Sequence, residues 1–114
     1  MEIVIDTNML MSIVQFKIHL FSELKKLGYT KFFILSKTMD ELRDIKGSKP
    51  VIQYIEQMIE NGNVKIIRNE GPVDSDLLTL GMPIATNDRG IIDKAKAMGI
   101  RIVRLRQRKY LVEE

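Results

Sequence analysis

The sequence predicts an α/β domain built around a parallel sheet. Short apolar runs alternate along the chain with segments whose apolar residues recur at helical spacing, and no internal repeat interrupts them. The length of 114 residues is about the usual size of one domain, so we expect a single domain over residues 1–114. Right-handed crossovers would place the helices on both faces of the sheet.

The first third of the chain predicts a strand, a helical region and a second strand. The opening run MEIVI is typical of a buried strand. Helical spacing follows between Asn8 and Leu27, with a break expected near residues 15–17 and Gly28 where a helix stop belongs. The apolar run KFFILS then predicts the second strand.

Two helices and a strand are predicted in the middle third. Thr38 and Glu41 have the spacing of a capping box, which would begin the first of these helices. The second helix is predicted over Lys49–Glu60, where apolar residues form one stripe. NGNVKIIRN predicts a turn followed by the third strand.

The last third predicts two more helices and two more strands. GPVDSDLLTLG is typical of a loop and a short helix, and PIATND of a strand with a polar end. RGIIDKAKAMG predicts a helix that ends at Gly99, and IRIVRLR predicts a final strand. The sheet is therefore expected to contain about five strands, most of them parallel.

The composition excludes several classes of protein. The chain contains no cysteine, which excludes disulfides and thiolate chemistry, and it has no apolar run long enough to span a bilayer. It enters its first strand without a signal sequence, so we expect a cytoplasmic protein with no membrane role.

Positive charge is concentrated near the C-terminus, although the formal net charge is only +3. The segment RIVRLRQRKY contains no acid, and in a strand its residues Arg104, Arg106 and Arg108 would project to one side, with Lys109 beside them. This row either contacts the phosphates of a nucleic acid or is a charged edge strand that stays solvated.

Four or five carboxylates from four separate segments are expected at one edge of the sheet. Asp6 follows the first strand and Asp88 follows the fourth, while Glu41 belongs to the helix after the second strand. Asp74 and Asp76 lie at the start of the helix after the third strand. Because a parallel sheet binds ligands beyond the carboxyl ends of its strands, these acids can meet there.

Each acid also has a purely structural explanation. Asp6 can cap a helix, Glu41 can complete the capping box, and Asp88 can occupy a turn. Asp74 and Asp76 can favour a helix N-terminus through its dipole. These explanations do not account for the shared location of the acids.

Clustered carboxylates require a cation to remain ionised. Like charges at close range raise each other's pKa values, and a divalent ion removes that conflict. With oxygen ligands, no cysteine and a single histidine, the sequence favours Mg²⁺ or Mn²⁺ over Zn²⁺. Such sites commonly hydrolyse phosphate esters, and a phosphodiester is the expected substrate.

The chain resembles the PIN-domain ribonucleases in the ordered set IVIDTN, DELRDI, VDSDLL and IATNDRGI. QFKIHLFSELKKLG and IVRLRQRKYLVE resemble more specifically the archaeal branch related to the ribosome-biogenesis proteins of the Fcf1/Utp24 type. The resemblance implies a three-layer α/β/α Rossmann-like fold and a metal-dependent endoribonuclease site.

The resemblance also implies roles for individual residues. Asp6, Glu41 and Asp88 take the positions of the family's acids, and Asn8 and Thr86 those of polar residues that support the metal or the phosphate. The third acid is Asp74 or Asp76, with Ser75 between them where relatives often have adjacent acids. Asp74 is favoured, because the shorter segment that follows corresponds to the loss of about one helical turn.

We therefore expect a Mg²⁺- or Mn²⁺-dependent ribonuclease that cuts single-stranded or loop RNA, with a possible part in rRNA processing. The alternatives are a non-catalytic RNA-binding ribosome-assembly factor and a toxin-type ribonuclease with an antitoxin partner. A homodimer is implied by resemblance alone. A phosphatase of the haloacid-dehalogenase type is disfavoured, because Asn8 stands where that family has its second aspartate.

Overall fold

The computed structural model describes all residues from 1 to 114 and contains six helices and six strands. The helices are α1 (Thr7–Gln15), α2 (Leu20–Lys26), α3 (Ser36–Arg43), α4 (Lys49–Glu60), α5 (Val73–Thr79) and α6 (Arg89–Ala97). The strands are β1 (Glu2–Ile5), β2 (Lys31–Leu35), β3 (Val64–Ile67), β4 (Ile84–Ala85), β5 (Ile102–Arg106) and β6 (Tyr110–Glu113).

All six strands form one sheet in the order β3-β2-β1-β4-β5-β6. Strands β1 to β5 pair in parallel, and β6 is antiparallel to β5. The chain moves outward from β1 to β3 on one side and then returns to place β4 on the other side of β1. The order therefore reverses between β1 and β4, which is the position where open parallel sheets bind ligands.

Helices cover both faces of the sheet. Residues of α1 to α4 pack with Ile3 and Ile5 of β1 in a cluster of 22 buried apolar residues. Residues of α5 and α6 pack with Val4 in a second cluster of 9. Successive residues of β1 thus point to opposite faces, and the fold has three layers. No helix has the length and apolar character needed to cross a membrane.

The predicted order of elements is confirmed, and the sheet has one strand more than expected. The helical region breaks at residues 16–19, between α1 and α2. The additional strand, β6, follows a tight turn in which Gln107 and Arg108 have positive φ, at 55° and 56°, and Lys109 N donates to the Arg106 carbonyl at 3.1 Å. These are features of a type I′ turn, which usually contains Asn or Gly, so the sequence pattern does not predict this hairpin.

The capping box predicted from Thr38 and Glu41 is wrong. Helix α3 begins at Ser36, and Thr38 is fully buried inside it. Glu41 instead accepts a hydrogen bond from the hydroxyl of Thr7 in α1, at 2.6 Å. The carboxylate of Glu41 is therefore directed to a different element from the one that the spacing indicated.

The predicted row of Arg104, Arg106 and Arg108 along one strand is wrong for Arg108 alone, since Arg104 and Arg106 both lie on β5 and alternate with its buried residues. Strand β5 ends at Arg106, and Arg108 lies in the turn that follows. Arg104 is only partly exposed and forms an ion pair with Glu114. Arg106, Arg108 and Lys109 are exposed at the end of β5 and in the turn after it, and we call these three residues the basic hairpin.

Candidate active site

Two neighbouring strands end in polar residues at the point where strand order reverses. Strand β1 runs directly into Asp6, and β4 runs into Thr86. Ile5 and Ala85 are paired across the two strands, and Asp6 N donates to the Ala85 carbonyl at 2.9 Å. Asp6 and Thr86 therefore lie side by side at the carboxyl end of the sheet.

The Asp6 carboxylate is buried and doubly hydrogen-bonded. Its Oδ1 accepts from Thr7 N at 2.8 Å and its Oδ2 from Thr86 Oγ1 at 2.7 Å, and the residue is only 6% exposed. Burial raises the pKa of Asp6 above its ordinary 3.8. The two hydrogen bonds oppose this rise, and the negative charges of Asp74 and Glu41 add to it.

Glu41 reaches the site from α3, in the connection between β2 and β3. Helix α3 begins directly after β2, and Glu41 lies near its end with an exposed side chain. Because Thr7 follows Asp6 in the chain, the 2.6 Å hydrogen bond from Thr7 Oγ1 holds Glu41 next to Asp6. The structure thus brings together two acids that are distant in sequence.

The two acids at the start of α5 have different surroundings. Asp74 is exposed, and it lies close enough for its charge to raise the pKa of Asp6. Asp76 is half-buried, and its Oδ2 accepts from Asn69 Nδ2 at 2.9 Å in the loop before α5. Asp74 therefore lies within electrostatic range of Asp6, whereas Asp76 is hydrogen-bonded to the loop before α5.

Asp88 is connected to Asp6 through Thr86. Its Oδ1 accepts from Ile91 N at 3.0 Å and caps α6, while its backbone N donates to Thr86 Oγ1 at 3.1 Å. The same hydroxyl donates to Asp6. Because Thr86 is fully buried, this hydrogen-bond network fixes the position of Asp6, after β1, relative to Asp88, after β4.

Asn8 also holds the site together, with two residues that the sequence analysis missed. The Asn8 Oδ1 accepts from Asn87 N at 3.1 Å, and Asn87 Oδ1 accepts from Leu105 N at 2.8 Å. Asn87 therefore ties the loop after β4 to the end of β5. Thr7 is the second missed residue, and the only sequence signal for either is adjacency to a candidate acid.

The acids of the site have no cationic partner. None of the six ion pairs of the structure involves Asp6, Glu41, Asp74 or Asp88. No three acidic or histidine side chains stand close enough together to hold a metal ion directly. A magnesium ion is commonly bound through one or two carboxylates with waters completing its shell. The uncompensated negative charge and the carboxylate oxygens therefore suit a hard cation that keeps part of its hydration shell.

The basic hairpin lies at the same edge of the sheet as the acids. It follows the carboxyl end of β5, which is parallel to β1 through β4. The Arg108 guanidinium lies 5.3 Å from the centre of the Phe16 ring, a cation–π contact that orients the turn. Positive charge beside a negative site is an arrangement that suits a polyanion whose phosphate must approach the acids.

The chain is similar to a known domain family, to a known protein and to a solved structure. The PIN-like domain family matches residues 3–108. The chain is 28% identical over 120 residues to ribonuclease VapC9 of Archaeoglobus fulgidus, covering 97% of this chain and 87% of that protein. Its fold matches the structure of the PIN domain endonuclease Utp24 with a TM-score of 0.79 and 19% identity, covering 99% of this chain and 90% of that one. The last similarity concerns the fold alone.

Proposed function

The chain belongs to the PIN-domain family of ribonucleases, and from that membership we propose that it is a Mg²⁺- or Mn²⁺-dependent endoribonuclease. Its substrate is single-stranded or loop RNA, and its reaction is hydrolysis of a phosphodiester bond. Water forms the new bond to phosphorus, the bond to the leaving sugar oxygen breaks, and that oxygen takes a proton.

The observation that carries this proposal is the environment of Asp6. It is a buried carboxylate at the switch point of the sheet, subject to the negative charges of Glu41 and Asp74 from two other elements. No ion pair offsets those charges. Folding maintains this repulsion, which is typical of a site that a cation completes.

Asp6, Glu41 and Asp74 are the residues that hold the cation, directly or through water, and Asp88 completes the acidic set. A Mg²⁺ or Mn²⁺ ion held by these residues would supply Lewis-acid chemistry, which would lower the pKa of a water molecule and offset negative charge on the phosphate. Thr86 and Thr7 orient the carboxylates of Asp6 and Glu41 by their hydrogen bonds, at 2.7 and 2.6 Å.

The basic hairpin binds the RNA backbone beside the acids. Arg106, Arg108 and Lys109 are exposed, and their contacts with phosphates need no particular base sequence. Asn8 and Asn87 fix the end of β5 relative to the loop after β4, so the hairpin keeps a defined position against the acids.

A second candidate is a non-catalytic RNA-binding protein of ribosome assembly. It is favoured by Ser75, which separates Asp74 from Asp76, and by the spacing of the acids, of which no three could hold an ion directly. An antitoxin, a ribosome-assembly protein or a second copy of the chain remains a predicted partner under either function.

The proposed function is tested by cleavage of a labelled RNA hairpin with single-stranded flanks, in Mn²⁺ and in EDTA. We expect cleavage by the wild type only in Mn²⁺, and a fall of at least about 100-fold in Asp6→Asn, which removes charge from the site but keeps the side chain's shape. Asp93→Asn, an exposed change on α6, is the matched control.

Three outcomes would contradict the proposal. Cleavage by Asp6→Asn at the wild-type rate would reduce Asp6 to a helix cap. A wild type that binds the RNA but never cleaves it would favour the assembly factor. Hydrolysis of small phosphomonoesters in place of RNA would indicate a phosphatase.

A further inference from the structure

Asn69 is the centre of a hydrogen-bonded knot outside the acidic site. Its Oδ1 accepts from Ser36 Oγ at 3.1 Å and from Lys37 N at 3.0 Å. Its Nδ2 donates to the Gly71 carbonyl at 3.2 Å and to Asp76 Oδ2 at 2.9 Å. One amide group thus uses both its acceptor and its donor capacity, and we call these five residues the Asn69 knot.

The knot joins two helices that carry candidate acids. Ser36 and Lys37 are the first residues of α3, which bears Glu41. Asp76 lies in the first turn of α5, which bears Asp74. The knot therefore sets the distance and orientation between the two helix starts at the carboxyl end of the sheet.

Gly71 makes the position of Asp76 specific. A Cβ atom at Gly71 would lie 2.8 Å from Asp76 Oδ1 and 3.0 Å from Oδ2, closer than non-bonded carbon and oxygen atoms normally approach. The carboxylate of Asp76 thus packs onto the backbone in a space that only glycine leaves. Packing and hydrogen bonding together fix its rotamer.

Helix α5 has few other attachments. It is 7 residues long, buries only Val73 and Leu77, and has no side-chain cap because Pro72 occupies its N-cap position. A helix this short gains little from its own hydrogen bonds, so its orientation depends on tertiary contacts.

We propose that Asn69 and Asp76 are positioning residues that fix the start of α5 and so hold Asp74 near Asp6. Asp76 then serves as a hydrogen-bond acceptor and not as a metal ligand. This inference rests on the proposed function for its consequence, the affinity of the site for a cation, but its geometry is independent of any ion.

Asp76 offers a sharp test, because accepting a hydrogen bond from Asn69 needs only an oxygen, whereas the affinity of a carboxylate for a divalent cation depends strongly on its negative charge. Asp76→Asn keeps an oxygen that accepts from Asn69, and Asp76→Ala removes it. Gly71→Ala leaves both polar partners in place and displaces the Asp76 carboxylate. Asn69→Ala removes the centre of the knot, and Asn61→Ala, an exposed asparagine before β3, is the matched control.

Three measurements are made on each variant: a metal-free crystal structure, the dissociation constant for Mn²⁺, and the kinetics of RNA cleavage. Asp76→Ala, Gly71→Ala and Asn69→Ala should move Asp74 away from Asp6 and weaken Mn²⁺ binding about 10-fold or more, as loss of a residue that orients a ligand does. They should lower kcat more than they change KM. Asp76→Asn should stay within about twofold of the wild type, because its amide oxygen restores the bond.

Amide hydrogen exchange reports the knot without any metal. The Lys37 amide is bonded to Asn69 Oδ1, so Asn69→Ala should make it exchange about fivefold faster or more. Asn61→Ala should leave the exchange of Lys37 and the binding of Mn²⁺ as in the wild type.

The inference is overturned if Asp76→Asn loses as much Mn²⁺ affinity as Asp74→Asn, since Asp76 would then act by its charge. It is equally overturned if Asp74 keeps its position in the crystals of Asp76→Ala and Asn69→Ala. A wild type that binds no Mn²⁺ would instead defeat the proposed function, and it is recognised by that measurement alone.

Discussion

At the scale of single residues, capping a helix leaves the Asp6 carboxylate available for the role proposed for it. Its Oδ1 satisfies Thr7 N at the start of α1, and its Oδ2 accepts from Thr86. A carboxylate has about four lone-pair positions, so both oxygens can still face a cation. The structural explanation of this acid therefore does not compete with its proposed role.

Asp6 also makes stability depend on pH. Burial, followed by the charges of Asp74 and Glu41, raises its pKa above 3.8. The folded state then binds the proton more readily than the unfolded chain, so the stability of the metal-free protein falls as pH rises from about 3.8 through the folded pKa. Above that range Asp6 is ionised in the folded protein, and its buried negative charge lowers the free energy of unfolding by the full amount.

We predict that Asp6→Asn is more stable than the wild type at pH 7 in EDTA, and that this gain shrinks as the pH approaches 3.8. Each 1 kcal/mol of relief should raise Tm by roughly 4 °C in a domain of this size. Urea unfolding at a series of pH values measures the difference, and Asp93→Asn on α6 should show no such gain. A less stable Asp6→Asn would mean that its hydrogen bonds outweigh its desolvation.

At the scale of elements, the β5–β6 hairpin determines which basic side chains at this end of the sheet are free of ion pairs. Arg104 is held by Glu114, which also accepts from Lys96 at 2.7 Å. Arg106 and Lys109 take part in no ion pair and are exposed. Residues with positive φ form the turn between them, and such backbone is often found where a chain presents a binding group.

We predict that replacing Arg106 and Lys109 with Gln weakens RNA binding with little preference for sequence. The slope of log K against log salt should flatten by about 0.7 for each lost single-strand contact, or by about 1.4 for the pair. Binding titrations at several salt concentrations measure it, and kcat at saturating RNA should change much less.

Lys65→Gln is the matched control for the hairpin. Lys65 is an exposed cation on β3, which is the outermost strand on the side of the sheet opposite β6. It should leave both the affinity and the slope unchanged. If the hairpin variant also retains both, the hairpin is a solvated edge and the RNA takes another path to Asp6.

At the scale of the whole molecule, the acidic site exists only in the folded protein. Asp6, Glu41, Asp74 and Asp88 come from four separate connections of the sheet, and only folding assembles them. A cation that binds this assembly therefore stabilises the folded state by mass action.

We predict that Mn²⁺ at about 100 times its dissociation constant stabilises the wild type by ~2.7 kcal/mol, which raises Tm by roughly 10 °C. Thermal unfolding with and without Mn²⁺ measures this shift. Asp6→Asn should lose most of it and Asp93→Asn should keep it. An equal shift in Asp6→Asn would mean that the ion binds elsewhere.

The order of helices and strands follows from the sequence because the signals that set it are local. Apolar periodicity in MEIVI, KFFILS and Lys49–Glu60 reports which segments are buried and with what period. An acid at the end of β1 and another after β4 are also visible in the sequence, because parallel strands end at one edge.

The tertiary structure alone decided which partner each polar group has. Glu41 accepts a hydrogen bond from Thr7, 34 residues away, and does not cap its own helix. Asn69 donates a hydrogen bond to Asp76, and Glu114 forms an ion pair with Arg104. Hydrogen bonds and ion pairs act over a few ångströms, and packing sets which groups come within that range. The sequence by itself therefore determined the candidate acids and every element except β6, whereas the partners of the polar groups depended on how packing brought separate segments together.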